Sequence, residues 1–142
     1  MSGKDPQPVR GKNPQAVKIY PRHVLVVDDE PLIRWSVSES LGAHGFTVEE
    51  ATDAASALRI VTTTALPFAA IVLDLRLPDM SDLSLLATLR QLVPSAHIVL
   101  MTAFGTPELV AHAKALGADV IAKPFELDEL NRLVRAKQRG TH

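Results

Sequence analysis

Apolar and polar positions along the chain fall into two alternating rhythms. Short apolar runs of strand length begin near residues 24 (VLVV), 47 (TVEEA, the weakest), 69 (AAIVL), 96 (AHIVLM) and 118 (ADVIA), 22 to 27 residues apart. Between them the apolar positions take a helical spacing. Ile33, Val37 and Leu41 form one stripe that stops at His44-Gly45, and Leu83, Leu86, Leu89 and Arg90 continue a second that ends at Val93-Pro94. Asp53, Thr106 and Pro107 read as helix starts. The fourth helix is expected from Pro107 to about Leu116, stopping at Gly117, and the last begins at Glu126 and carries Leu127, Leu130, Leu133 and Val134. Five strand-helix units of this spacing predict a parallel sheet with helices on both faces, because each right-handed crossover must bury its helix against the sheet. In an open sheet of that class the functional crevice lies beyond the carboxyl ends of the strands.

Composition narrows the setting. The chain has 142 residues, 46% of them hydrophobic, enough for one domain with a real core. Its longest nearly uncharged apolar run, Ala65 to Leu73, is far below the roughly 18 residues that a membrane span needs, so a cytoplasmic protein with no membrane partner is expected. With no cysteine, disulfides, thiolate metal sites and a cysteine nucleophile are excluded. The net charge of −1 hides an uneven distribution, since five of the 15 Lys/Arg but only one of the 16 acids fall within residues 1–22. The remainder is acidic, which argues against nucleic-acid binding by the folded domain itself. Residues 1–21, rich in proline and without apolar periodicity, read as a flexible N-terminal extension, with a partner- or DNA-binding arm as the functional alternative. Residues 22–138 form the domain, and 139–142 a tail or the start of a linker.

The residues that follow the strands carry the chemistry. They are Asp28, Asp29 and Glu30 after the first, Asp74 after the third, Thr102 after the fourth and Lys123 after the fifth. Each alone reads as a cap or a solvated charge. Together at one sheet edge, these acids from two strands, a hydroxyl and a cation outline a phosphoryl-transfer site. Neighbouring carboxylates repel by about 4 kcal/mol per pair at ~4 Å and an effective dielectric near 20, so they call for a bridging cation. Mg²⁺ suits oxygen ligands and keeps open positions for phosphate. A carboxylate can itself attack phosphorus to give an aspartyl phosphate, while a metal and a lysine neutralise the phosphoryl oxygens. Glu30 reads as the start of the first helix, where its charge suits the dipole. The five histidines are scattered and show no metal spacing.

The stretches VLVVDDEPLIRWSV, IVLDLRLPD, LMTAFGT and IAKPF, in this order and at this spacing, resemble the receiver domain of bacterial two-component response regulators, most closely the NtrC-like group, over about residues 22–138. The resemblance implies a flavodoxin-like (βα)₅ fold, a five-stranded parallel sheet of order 2-1-3-4-5, the order that the general rule for such sheets attaches to a chemotaxis receiver. It implies Asp74 as phosphoacceptor, and Mg²⁺ (or Mn²⁺ in its place) held by Asp28, Asp29, Asp74 and the backbone carbonyl of Arg76. Thr102 and Lys123 would bind the phosphate and relay the switch, and the Lys123-Pro124 bond would be cis. The donor would be a sensor histidine kinase or phosphotransfer protein, and the face formed by the fourth helix, the fifth strand and the fifth helix would switch and could support a homodimer. The activity is then that of a phosphorylatable switch that catalyses only its own phosphorylation and dephosphorylation, with transcription regulated through an output domain or the receiver acting alone.

Two positions depart from the family pattern. Val120 stands where an aromatic switch residue is usual, and a β-branched side chain cannot make the same swing. Asp82 stands where glycine is usual, and is expected to alter the loop slightly without disturbing the chemistry. Arg76 and Phe104, two positions after Asp74 and Thr102, are bulky and expected to lengthen the life of the phosphate. Leu32 and Trp35 lie off the buried stripe of the first helix and suggest a docking surface for the kinase. Two rival readings remain at this point. An aspartyl-phosphate phosphatase resembling the haloacid dehalogenases would need a second Asp two positions after its nucleophile, where Asp28 has Glu30. The other is a receiver-shaped interaction module that works without phosphorylation.

Overall fold

The computed structural model describes residues 22–140. The expectations for residues 1–21 and for Thr141 and His142 lie outside the described residues. Strands and helices alternate: β1 His23–Val27, α1 Pro31–Ala43, β2 Thr47–Ala51, α2 Ala54–Thr63, β3 Phe68–Asp74, α3 Ser84–Leu92, β4 His97–Thr102, α4 Pro107–Ala115, β5 Ala118–Ala122 and α5 Leu127–Gly140. All strand pairs are parallel, in the order β2-β1-β3-β4-β5. This is the flavodoxin-like arrangement that the resemblance implies.

Alternation along the strands divides the interior in two. Leu25, Val27, Ile71, Leu73, Ile98 and Leu100 face one side and pack under α2, α3 and α4 through Ala57, Leu85, Leu86, Leu89 and Ala113. Val24, Val26, Val72, Val99 and Met101 face the other, where Val37 and Leu41 of α1 and Leu130 and Val134 of α5 cover them. β1, β3 and β4 are buried almost throughout, as central strands covered on both faces must be. The weak TVEEA run is the half-exposed edge strand β2.

Helix boundaries follow local chemistry. Asp53 caps α2, its carboxylate accepting the Ser56 N–H at 2.8 Å, and Thr106 caps α4 ahead of Pro107 through the Leu109 N–H. After α4, Gly117 takes φ +82°, a left-handed turn that favours glycine at a helix end. The second apolar stripe needs a correction. Leu85, Leu86 and Leu89 carry its buried face, Leu83 stands at the N-cap, and Arg90 is a staple. The Arg90 guanidinium donates to the carbonyls of Leu116 (3.0 Å), Pro94 (3.0 Å), Ala96 (2.9 Å) and Gly117 (3.4 Å). It thus joins the end of α3 to the start of β4 and the end of α4.

Candidate functional site

Parallel strands deliver their last residues to one edge. β1 and β3 are neighbours, so Asp28, just past β1, and Asp74, the last residue of β3, stand side by side. Asp28 is fully buried, and Asp74 is 5% and Thr102 4% exposed. Lys123 follows β5 and reaches back over the sheet edge. Its Nζ lies 3.1 Å from Asp28 Oδ2, 3.3 Å from Glu30 Oε1 and 3.4 Å from Asp74 Oδ1. The Lys123-Pro124 peptide is cis. The Lys123 N–H donates to the Thr102 carbonyl at 2.8 Å, which ties the lysine to the end of β4.

The backbone supplies further donors. The Glu30 N–H meets Asp28 Oδ1 at 2.9 Å, the Arg76 N–H meets Asp74 Oδ1 at 3.3 Å, and the Phe104 N–H meets Thr102 Oγ1 at 3.2 Å. Burial raises the Asp74 pKa and the neighbouring Asp28 charge raises it further. Lys123 and the Arg76 N–H pull it back, leaving it at about 6. For Lys123, burial disfavours the ammonium, but the bond to Asp28 and the charges of Asp28 and Asp74 outweigh it and raise its pKa. Lys123 is therefore held as a cation at neutral pH.

The structure brings some of the expected residues together and leaves others apart. Asp28, Asp74, Thr102 and Lys123 converge. Asp29 is exposed, and the acids with ligand atoms within 4.8 Å of one another, among the described residues, are Asp28, Glu30 and Asp74. Glu30 does occupy the N-cap of α1, but its side chain bonds to no helix N–H and turns to Lys123 instead. Pro31 at N1 offers no N–H to cap. The donor set, carboxylate oxygens only, fits a hard divalent cation.

Arg76 and Phe104 are both exposed and touch each other, with the guanidinium carbon 5.3 Å from the ring centre. Val120 is half-buried, pairs with Leu100 in the sheet and packs against the core. Asp82 has a definite job. Its carboxylate accepts the Ser84 N–H at 2.9 Å at the start of α3. Leu32 and Trp35 on α1 are 72% and 59% exposed. Beside them a groove of about 550 Å³ runs between α1 and the start of α5, lined by Leu32, Ile33, Val37, Phe125 and Leu127 and shared with Glu30 and Lys123.

Two anchors were not anticipated. Asp79, in the loop after β3, accepts the N–H groups of Ala54 (2.8 Å) and Ala55 (3.0 Å) at the start of α2. Arg34 donates to the Asp28 carbonyl at 2.8 Å and to Glu50 at 2.9 Å. Nothing local to Asp79 signals a contact 25 residues away; for Arg34 the one hint is a charge in the first turns of a helix beside the acids.

The response regulator receiver domain model matches residues 24–135. The chain belongs to that family. Relatives of this receiver include the probable transcriptional regulatory protein TcrX of Mycobacterium tuberculosis, 38% identical over 122 residues, 85% of this chain and 51% of that protein. Another is the sporulation initiation phosphotransferase F of Bacillus subtilis, 30% identical over 113 residues, 79% of this chain and 90% of that one. The chain thus spans about half the length of the first and nearly all of the second. A response regulator from Burkholderia pseudomallei, with a phosphorylated aspartic acid, calcium ion and citrate, superposes with a TM-score of 0.72 at 27% identity, over 83% of this chain and 73% of that one. Receivers of this family are signal-transduction modules of two-component systems, and among the described residues no helix is long and apolar enough to cross a membrane.

Proposed function

We propose that this receiver accepts a phosphoryl group from a phosphohistidine on Asp74. The observation that carries the reading is the convergence of Asp28, Asp74 and Lys123 within 3.4 Å contacts at the carboxyl edge of the sheet, with Thr102 at the end of the adjacent strand. An Asp74 oxygen attacks phosphorus, the bond from phosphorus to the donor nitrogen breaks, and its electron pair leaves with the imidazole. The Arg76 N–H orients the attacking carboxylate. Lys123 trades a carboxylate partner for a phosphoryl oxygen. Thr102, whose oxygen already accepts the Phe104 N–H, has its proton free for a second one.

Asp28 and Asp74 would hold Mg²⁺ together with Asp29 and the Arg76 carbonyl, and Glu30 adds a carboxylate to that set. When bound, the ion relieves repulsion among the acids and neutralises charge on the phosphoryl oxygens. The new charge on Asp74 then shifts a pre-existing equilibrium of the α4-β5-α5 face through Thr102 and Lys123. With Val120 in place of an aromatic, the hydroxyl and the lysine carry that shift alone. A homodimer through that face, regulation of transcription through a further domain and a cytoplasmic location complete the reading.

The groove beside Leu32 and Trp35 supports docking of a histidine kinase or phosphotransfer protein there, because an apolar surface adjoins the phosphoacceptor. Incubation with phosphoramidate or acetyl phosphate and Mg²⁺, followed by intact mass, tests the central claim. One added phosphate on wild type and none on Asp74→Ala is the expected result; no addition at any Mg²⁺ concentration refutes it.

A further inference from the structure

Asp28 is held at every polar group. Its N–H donates to the Ala51 carbonyl at 3.1 Å, and its two carboxylate oxygens accept from Glu30 and Lys123. Its carbonyl accepts the Arg34 guanidinium at 2.8 Å. That last bond matters for the residues that follow. The Asp28 carbonyl and the Asp29 N–H belong to one rigid peptide unit, so fixing the carbonyl fixes the plane of the peptide that leads from Asp28 toward Glu30. Arg34 is itself pinned. Its Nε donates to Glu50 Oε1 at 2.9 Å and its side chain is only 18% exposed. Glu50 lies on β2, paired in register with Val26 of β1, so the guanidinium bridges α1, the acidic loop and the edge strand.

We infer that Arg34 is a positioning residue for the cation site, holding the Asp28 backbone so that its carboxylate stays beside those of Glu30 and Asp74. This rests on the reading of the site as Mg²⁺-dependent. Arg34 touches neither the ion nor the phosphate; it acts through the backbone. The planar fork gives two directed bonds at a fixed angle, one to the carbonyl and one to Glu50, which an ammonium cannot reproduce. Groups that orient metal ligands in this way typically change affinity by about tenfold or more when removed.

Calorimetric titration of the whole chain with Mg²⁺ tests this without requiring phosphorylation. Arg34→Lys and Arg34→Gln should each weaken Mg²⁺ binding by roughly tenfold, and Glu50→Gln, which frees one anchor, by less. Arg90→Ala serves as the stability control, because it loosens the opposite side of the fold and should leave the affinity unchanged. If Arg34→Lys binds like wild type, charge alone suffices and the positioning role is overturned. It is equally overturned if the loss of affinity in the Arg34 variants is matched by Arg90→Ala at similar loss of melting temperature. A wild type that binds no Mg²⁺ overturns the reading of the site itself, a result distinct from either.

Discussion

The Arg76 guanidinium lies 5.3 Å from the centre of the Phe104 ring, and the backbone N–H of each of these residues is bonded to a side chain of the site, Asp74 and Thr102 respectively. An aspartyl phosphate is lost when water attacks phosphorus in line with the bond to Asp74. If Asp74 carries the phosphate as proposed, two bulky side chains in contact with each other, two positions after Asp74 and Thr102, would hinder that approach more than either would alone. An exposed cation–π contact is worth about 0.5–1 kcal/mol. Arg76→Ala and Phe104→Ala should therefore each shorten the phosphate lifetime by roughly two- to fivefold, and the double variant should add little to either. Decay of the phosphorylated species, followed by intact mass after donor removal, gives the rates. Equal lifetimes in wild type and double variant would remove the stacked pair from the account.

Asp74 makes the cation-free protein pH-sensitive. Its pKa in the folded chain, about 6, lies above the ordinary value of 3.8, with burial the leading cause and Asp28 the next. The folded state thus binds more protons than the unfolded between those two values. The resulting stability is fully present below 3.8 and is lost as pH rises through about 6. Denaturant unfolding in EDTA should show wild type gaining roughly 1 kcal/mol relative to Asp74→Asn between pH 7 and pH 5. Parallel pH profiles for the two proteins would contradict this.

Asp82 works in the opposite sense. Hydrogen bonding to the Ser84 side chain, and next to the Ser84 N–H, holds its pKa below the ordinary carboxylate value, so its contribution is present above the unfolded pKa and lost as pH falls through the folded one. Asp82→Ala should lower the melting temperature at pH 7, and the difference from wild type should shrink as pH falls below the ordinary carboxylate value. Restoring glycine, the residue usual at this position in the receiver resemblance, should not recover the loss, because glycine supplies no acceptor for that N–H. A glycine variant as stable as wild type would show that the carboxylate caps nothing of consequence.

The fold was legible because its signals are local and repeated. Four apolar runs and one weak one mark five strands, and even the weakness of TVEEA is informative, since β2 is the half-exposed edge. Caps at Asp53 and Thr106 and the stop at Gly117 are written in single residues whose chemistry allows few other roles. The site was legible because a parallel sheet sends the residues after its strands to one edge, which joined Asp28, Asp74, Thr102 and Lys123 without coordinates. What escaped were the charged residues that reach across the sequence. Glu30 looks like an ordinary helix start, and only the position of Lys123, 93 residues on, draws its side chain into the site. Arg34, Asp79 and Arg90 likewise find partners on other elements, and no periodicity encodes a bond between them.

Arg90 gives the sharpest stability test, since it continues an apolar stripe in the sequence yet acts through hydrogen bonds in the fold. Its guanidinium donates to four carbonyls, those of Pro94, Ala96, Leu116 and Gly117, which end one helix, begin a strand and close another helix. Arg90→Ala leaves those acceptors without their donor and opens the packing beside the Gly117 turn, which stands within 4 Å of the same side chain. Unmet hydrogen bonds of partly buried groups cost about 1–3 kcal/mol each where water cannot replace them, and here water reaches some of the four. A loss of roughly 2–3 kcal/mol in urea unfolding is therefore expected. Arg90→Leu, which restores apolar bulk but no donor, should recover less than half, whereas Arg90→Lys should recover more, because one ammonium can still meet two of the carbonyls. A leucine variant as stable as wild type would mean that the side chain packs rather than binds.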